Sequence, residues 1–201
     1  VNSARPTVYL AGPTVFEPDP DHVFAEMKQV CARHGLNGMS PLDNQRDLHG
    51  REPGGELARR IVQADIDLMR RADAGIFCLD GFRRGPEMDP GTAFEVGYMH
   101  ALGKKLVGWS SDPRLYPDRV RDFFSHTFGL SLTDDPLPGT GGRSGRHRDP
   151  DGMLVHSEGC IQNAMVQISI ETSGGRVSTD TRWLSAFEGA VAHLAGLYDA
   201  P

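Results

Sequence analysis

Apolar residues along this chain fall into two kinds of pattern that alternate. Short runs at Thr7 to Leu10, around Gly38, at Ala74 to Leu79 and at Lys105 to Gly108 read as strands, and Ala74 to Leu79, apolar with little alternation, as one covered by helices on both faces. Between them apolar residues return at helical spacing. Asp21 to His34 places Val23, Phe24, Met27, Val30 and Cys31 on one face before Gly35 stops it. Leu57, Ile61, Ala64 and Leu68 mark a second helix ending near Arg71, and Thr92 to Gly103 a third. Strands and helices of this length in alternation imply right-handed βαβ crossovers and a mainly parallel sheet with helices on both faces. The polar segment from Pro41 through Gly55 reads as a loop.

The second half is patterned less clearly. Pro136 to Gly152 is rich in Gly, Pro and charge, lacks apolar periodicity, and reads as a mobile surface loop. Its Arg143, Arg146, His147 and Arg148 fit either a phosphate-binding patch or a solvated charged segment. Beyond it, Ala164 to Ile170 can extend as a strand, and Trp183, Phe187, Val191 and Leu194 mark a final amphipathic helix.

Composition narrows the function classes. The 201 residues suit one domain spanning 1–201, with no composition break inside. With 27 acidic and 21 basic residues the net charge is -6, which disfavours nucleic acid and anionic membranes as partners. No run approaches the roughly 20 apolar residues of a membrane span, and no signal-peptide core opens the chain. Cys31, Cys78 and Cys160 are odd in number and widely spaced, which favours buried free thiols. A cytoplasmic location is the expectation. No His or Cys spacing calls for a metal, and no phosphate-binding loop or nucleophile elbow is present, so no cofactor is expected. Carboxylates remain as the source of chemistry.

Three acids can converge at the carboxyl edge of such a sheet, where open α/β folds bind ligands. Glu95 stands at the opening of a helix just after the Ala74 to Leu79 strand, Asp89 lies in the loop between them, and Asp65 lies on the preceding helix. A retaining glycosyl transfer needs one carboxylate as nucleophile and an acid to protonate the leaving group. Structural alternatives exist for each. Thr92-x-x-Glu95 fits a capping box, Asp89 before Pro90 suits a helix start, and Asp65 fits a solvated helix position. Tyr9, at the end of the first strand, either packs in the core or orients a buried carboxylate.

The segments Tyr9-Leu10-Ala11-Gly12-Pro13 with Phe16, Pro41-Leu42-Asp43-Asn44, Ala64-Asp65-Ile66 with Ala72-Asp73, Asp89-Pro90-Gly91-Thr92-Ala93-Phe94-Glu95-Val96-Gly97 and Ala101-Leu102-Gly103-Lys104 resemble the nucleoside 2-deoxyribosyltransferase family in order and spacing. The resemblance covers Val8 to Gly108. It implies a three-layer, flavodoxin-like sheet and exchange of the base on a 2'-deoxyribonucleoside for another free base. By that resemblance Glu95 is the nucleophile, Tyr9 holds its carboxylate, Asp65 assists base protonation, and Asp89 binds a sugar hydroxyl or shares the proton work. Gly12, Phe16 and Gln45 are implied to contact substrate, Gln45 through the base. Asn163-Ala164-Met165 is similar to the family's Asn-x-Met element, whose asparagine reaches the sugar of a neighbouring subunit's site, so Asn163 and Met165 imply a homo-oligomer. Two other readings stay open: an N-glycosidase acting on a nucleoside or its 5'-monophosphate, and a non-catalytic nucleotide-binding module.

Overall fold

The computed structural model describes residues 5–45, 54–135, 146–155 and 158–199. In chain order the regular elements are β1 (Thr7–Ala11), α1 (Pro20–Arg33), β2 (Asn37–Met39), α2 (Gly55–Arg71), β3 (Ala74–Cys78), α3 (Pro90–Ala101), β4 (Lys105–Ser110), α4 (Tyr116–Phe128), β5 (Thr133–Asp134), β6 (His147–Arg148), β7 (Leu154–Val155), α5 (Ala164–Thr172), β8 (Val177–Thr179) and α6 (Trp183–Asp199). Five strands form one sheet in the order β2-β1-β3-β4-β8, and all neighbours are parallel. With the small β5-β6-β7 excursion set aside, that is the flavodoxin-like order.

Alternation along the strands sorts the two core layers. Val8 and Leu10 of β1, Ile76 and Cys78 of β3, and Val107 and Trp109 of β4 pack against Phe24, Met27 and Val30 of α1 and Phe187, Val191 and Leu194 of α6. Tyr9 and Phe77 face the other way, onto Leu68 and Met69 of α2, Val96 and Met99 of α3, and Ile170 of α5. The central strand β3 therefore carries no polar side chain, as a strand covered on both faces requires. All three cysteines are buried and free.

Three features depart from the sequence expectation. Ala164–Thr172 is a helix, not an extended segment. The Asn163 side chain accepts from the Met165 backbone N–H at 2.9 Å, and Val166 and Ile170, one turn apart, face the sheet. This helix supplies the crossover that a parallel β8 needs, and that demand overrides the β-propensity of its Val and Ile residues. Second, the helix α4 and the strand β8 carry little pattern of their own. Within α4 only Arg119 and Val120 are buried, and β8 spans three residues.

Third, residues 146–152 of the expected loop are partly ordered into strand. His147 and Arg148 pair antiparallel with both β5 and β7, and Asp135 accepts ion pairs from Arg146 at 3.2 Å and Arg148 at 2.9 Å. The proposed phosphate patch is thus tied to carboxylates where it is described; Arg143 and the rest of 136–145 lie outside the described residues. Among those residues no helix is long and apolar enough to cross a membrane.

Candidate active site

The chain leaves β1 toward β2 on one side and β3 on the other, and the crevice at that switch point is where the sequence-derived acids meet. Gly12 closes β1 where a Cβ would lie 2.8 Å from the Cβ of Cys78, so only glycine lets the two strand ends approach this closely. A short 3-10 turn, Pro13–Phe16, then carries Phe16 to the rim. A second such turn, Pro41–Asn44, delivers Gln45. Its own Asp43 is structural, accepting from the Ser40 backbone at 2.9 Å and from Lys28 at 2.6 Å.

The carboxylates are held by different means. Asp89 is the N-cap of α3, and its Oδ2 accepts from the Thr92 backbone N–H at 2.7 Å and the Thr92 hydroxyl at 2.9 Å. This settles the capping question: the helix starts at Pro90, Asp89 caps it, and Glu95 in the second turn accepts from the Tyr9 hydroxyl at 2.5 Å. Asp65, on α2, accepts from the Gln45 amide at 2.7 Å. Gly12, Phe16, Gln45, Asp65, Asp89 and Glu95 together line one cleft of about 590 Å³.

Comparison with known proteins places the chain in a family. The family model for nucleoside 2-deoxyribosyltransferases matches residues 8–165. The chain belongs to the nucleoside 2-deoxyribosyltransferase family. It is 45% identical over 190 residues to an uncharacterized protein of Schizosaccharomyces pombe, covering 94% of this chain and 89% of that one. Among solved structures it is similar to a 2-desoxiribosyltransferase from Leishmania mexicana, at 28% identity and a TM-score of 0.60 over 94% of this chain and 98% of the other. A conserved protein from Enterococcus faecalis V583 shares the fold at 17% identity and a TM-score of 0.55, over 92% of this chain and 99% of that one.

Burial sets the electrostatics of this deoxyribosyltransferase-type cleft. Loss of water raises Glu95 to about 8; the Tyr9 hydrogen bond opposes this, and the charges of Asp65 and Asp89 add to it. Asp65 is raised to about 6 by burial, against the Gln45 hydrogen bond. Burial first, then the neighbouring Glu95 and Asp65, drives the Tyr9 phenol far above its ordinary value, so Tyr9 acts only as a donor. Both carboxyls are thus raised above their ordinary values, Glu95 further than Asp65.

Two expected residues lie elsewhere. Asn163 caps α5 and Met165 is 80% exposed; neither lines this chain's cleft. The sequence reading also missed Ile61, Phe82 and Arg83, which do line it. Phe82 and Arg83 sit in the loop after β3, and their place beyond the carboxyl end of a central strand was the available signal. Their loop is braced from behind. Gln162 donates to the Pro86 carbonyl at 2.8 Å, and the buried Arg119 donates to the Leu79 carbonyl at 2.9 Å.

Proposed function

We propose that this protein exchanges the base of a 2'-deoxyribonucleoside through a deoxyribosyl ester on Glu95. The observation that carries this reading is the Tyr9–Glu95 hydrogen bond in a cleft that also holds the Asp65–Gln45 pair. In the first half-reaction a Glu95 carboxylate oxygen attacks C1' and the C1'–N bond breaks, its electron pair leaving with the base. Asp65 supplies the proton that the departing base takes up. In the second, a nitrogen of the incoming base attacks C1', the ester bond breaks, and Asp65 takes the proton back. Tyr9 holds the attacking oxygen in line, which matters because a carboxylate is a weak nucleophile that succeeds by position. Asp89, with one oxygen committed to Thr92, has the other for a sugar hydroxyl.

Incubating the protein with deoxyinosine, with and without adenine, tests the reading by chromatography. Deoxyadenosine should form only when adenine is present, and initial rates with both substrates varied should give parallel double-reciprocal lines. Free deoxyribose without exchange would make the protein an N-glycosidase instead. Intersecting lines would exclude the ester.

The same reading includes a homo-oligomer whose sites are completed across an interface. Met165 and Ile168 of α5 and Phe94 of α3 are exposed, and the Phe94 ring stacks on Tyr98 with centroids 5.9 Å apart. These two helices are adjacent, and an uncovered apolar strip of this kind suits a symmetric contact that would bring Asn163 to a neighbouring cleft. Asn163→Asp keeps the cap acceptor but loses the amide donor, and should lower kcat/KM by about 2- to 12-fold, the worth of one net hydrogen bond. Mixing Asn163→Asp chains with inactive Glu95→Ala chains should then restore wild-type turnover at some sites once subunits exchange. No gain after proven exchange would rule out shared sites.

A further inference from the structure

The loop after β3 carries a cation that the chemistry above leaves unused. Arg83 lines the same cleft as Asp65, Asp89 and Glu95, yet no described carboxylate pairs with it. Its guanidinium lies over the Phe82 ring, 4.9 Å from the centroid. Phe82 in turn meets Phe16, with ring centroids 5.5 Å apart, and Phe16 remains 62% exposed. The backbone of Arg83 is in the left-handed region at φ 51°. Glycine would hold that conformation without the steric cost a Cβ brings, so the turn itself does not call for an arginine.

A guanidinium stacked on an aromatic face, with no partner among the described carboxylates, presents a planar fork of donors and no acceptor. A planar base resting against Phe16 and Phe82 would turn one edge toward that fork. The complementary edge presents two adjacent acceptors, as O6 and N7 do in a 6-oxopurine. A 6-aminopurine offers N7 but sets an amino donor against the second guanidinium N–H. A pyrimidine has no N7. We propose that Arg83 selects the base, favouring 6-oxopurines such as hypoxanthine and guanine over adenine and the pyrimidines. This inference rests on the base-exchange reading for its substrate class.

Two substitutions separate the fork from its charge and from the loop. Arg83→Gly keeps the left-handed backbone and removes the side chain; Arg83→Lys keeps the charge and loses the planar fork. The assay compares kcat/KM for deoxyinosine, deoxyguanosine and deoxyadenosine with cytosine as acceptor, and runs deoxyinosine 5'-monophosphate alongside as a control for anion binding. Wild type should prefer the two oxopurine substrates, and both variants should lose about tenfold or more on those two, with deoxyadenosine staying near its wild-type value. An equal loss on all three, or an unchanged preference, would overturn the assignment. So would a loss confined to deoxyinosine 5'-monophosphate, since that places the fork on an anion. Calorimetric binding of free hypoxanthine and adenine needs no turnover and separates the two levels of the argument. Weaker hypoxanthine binding in Arg83→Lys, in a protein that exchanges nothing, would sink the exchange reading and leave base selection standing; equal hypoxanthine affinity would sink base selection alone.

Discussion

Glu95→Ala and Glu95→Gln should both abolish base exchange, with kcat falling by about three orders of magnitude or more, because removing a nucleophile deletes the covalent route. Both should fold. Glutamine can still accept from Tyr9, so its loss of activity cannot come from lost packing. The stability of the two chains should diverge with pH in a direction that a capping role does not produce. The folded state holds the Glu95 proton up to about 8, whereas the unfolded chain releases it near the ordinary glutamate value. Folded protein thus binds more protons across that window, and wild-type stability falls as pH rises through it. Glu95→Gln has no such proton to lose. Its melting temperature should match wild type near pH 4 and exceed it by roughly a few degrees at pH 8, where about 1 kcal/mol moves a chain of this size by about 2–4 °C. A variant with near wild-type turnover, or one less stable at every pH, would remove Glu95 from the chemistry.

Tyr9→Phe should lower the maximal rate by about 10- to 100-fold, the range for a hydrogen bond to a charged group, and should move one limb of the pH profile. Catalysis by this route needs Glu95 ionised and Asp65 protonated. Wild type should therefore give a bell with limbs near about 6 and about 8. Tyr9 is the group that holds Glu95 down against burial. Without it Glu95 rises further, so the alkaline limb should shift to higher pH and the productive fraction should shrink. A profile that falls uniformly, with both limbs in place, would show that Tyr9 only packs.

The parts of this fold that were legible in the sequence are those where one physical demand acts alone. Ala74 to Leu79 is apolar throughout because helices cover both its faces, and α1 shows its stripe because only one side is buried. Glu95 was legible as a site candidate from its place after β3, but its role against the capping box was not. That distinction depends on Tyr9, 86 residues away. Ala164–Thr172 misled because local propensity opposed a crossover that only the complete sheet requires. The helix α4 was illegible because its buried polar residue is Arg119, satisfied by the Leu79 carbonyl and the Ser110 hydroxyl. Arg83 was missed, and its stacking on Phe82 is visible only in three dimensions.

The 86-residue separation between Tyr9 and Glu95 has a consequence for how the chain folds. Neither residue meets the other until β1 has docked beside β3 and α3 has closed over both, a late, non-local step in assembly. Before then the Glu95 carboxyl is in water and titrates as an ordinary glutamate. Its displaced titration is therefore an intrinsic clock for completion of the sheet. In refolding followed by stopped-flow with a pH indicator at pH 7, proton uptake at Glu95 should lag the recovery of helical signal, and should coincide with the return of enzymatic competence.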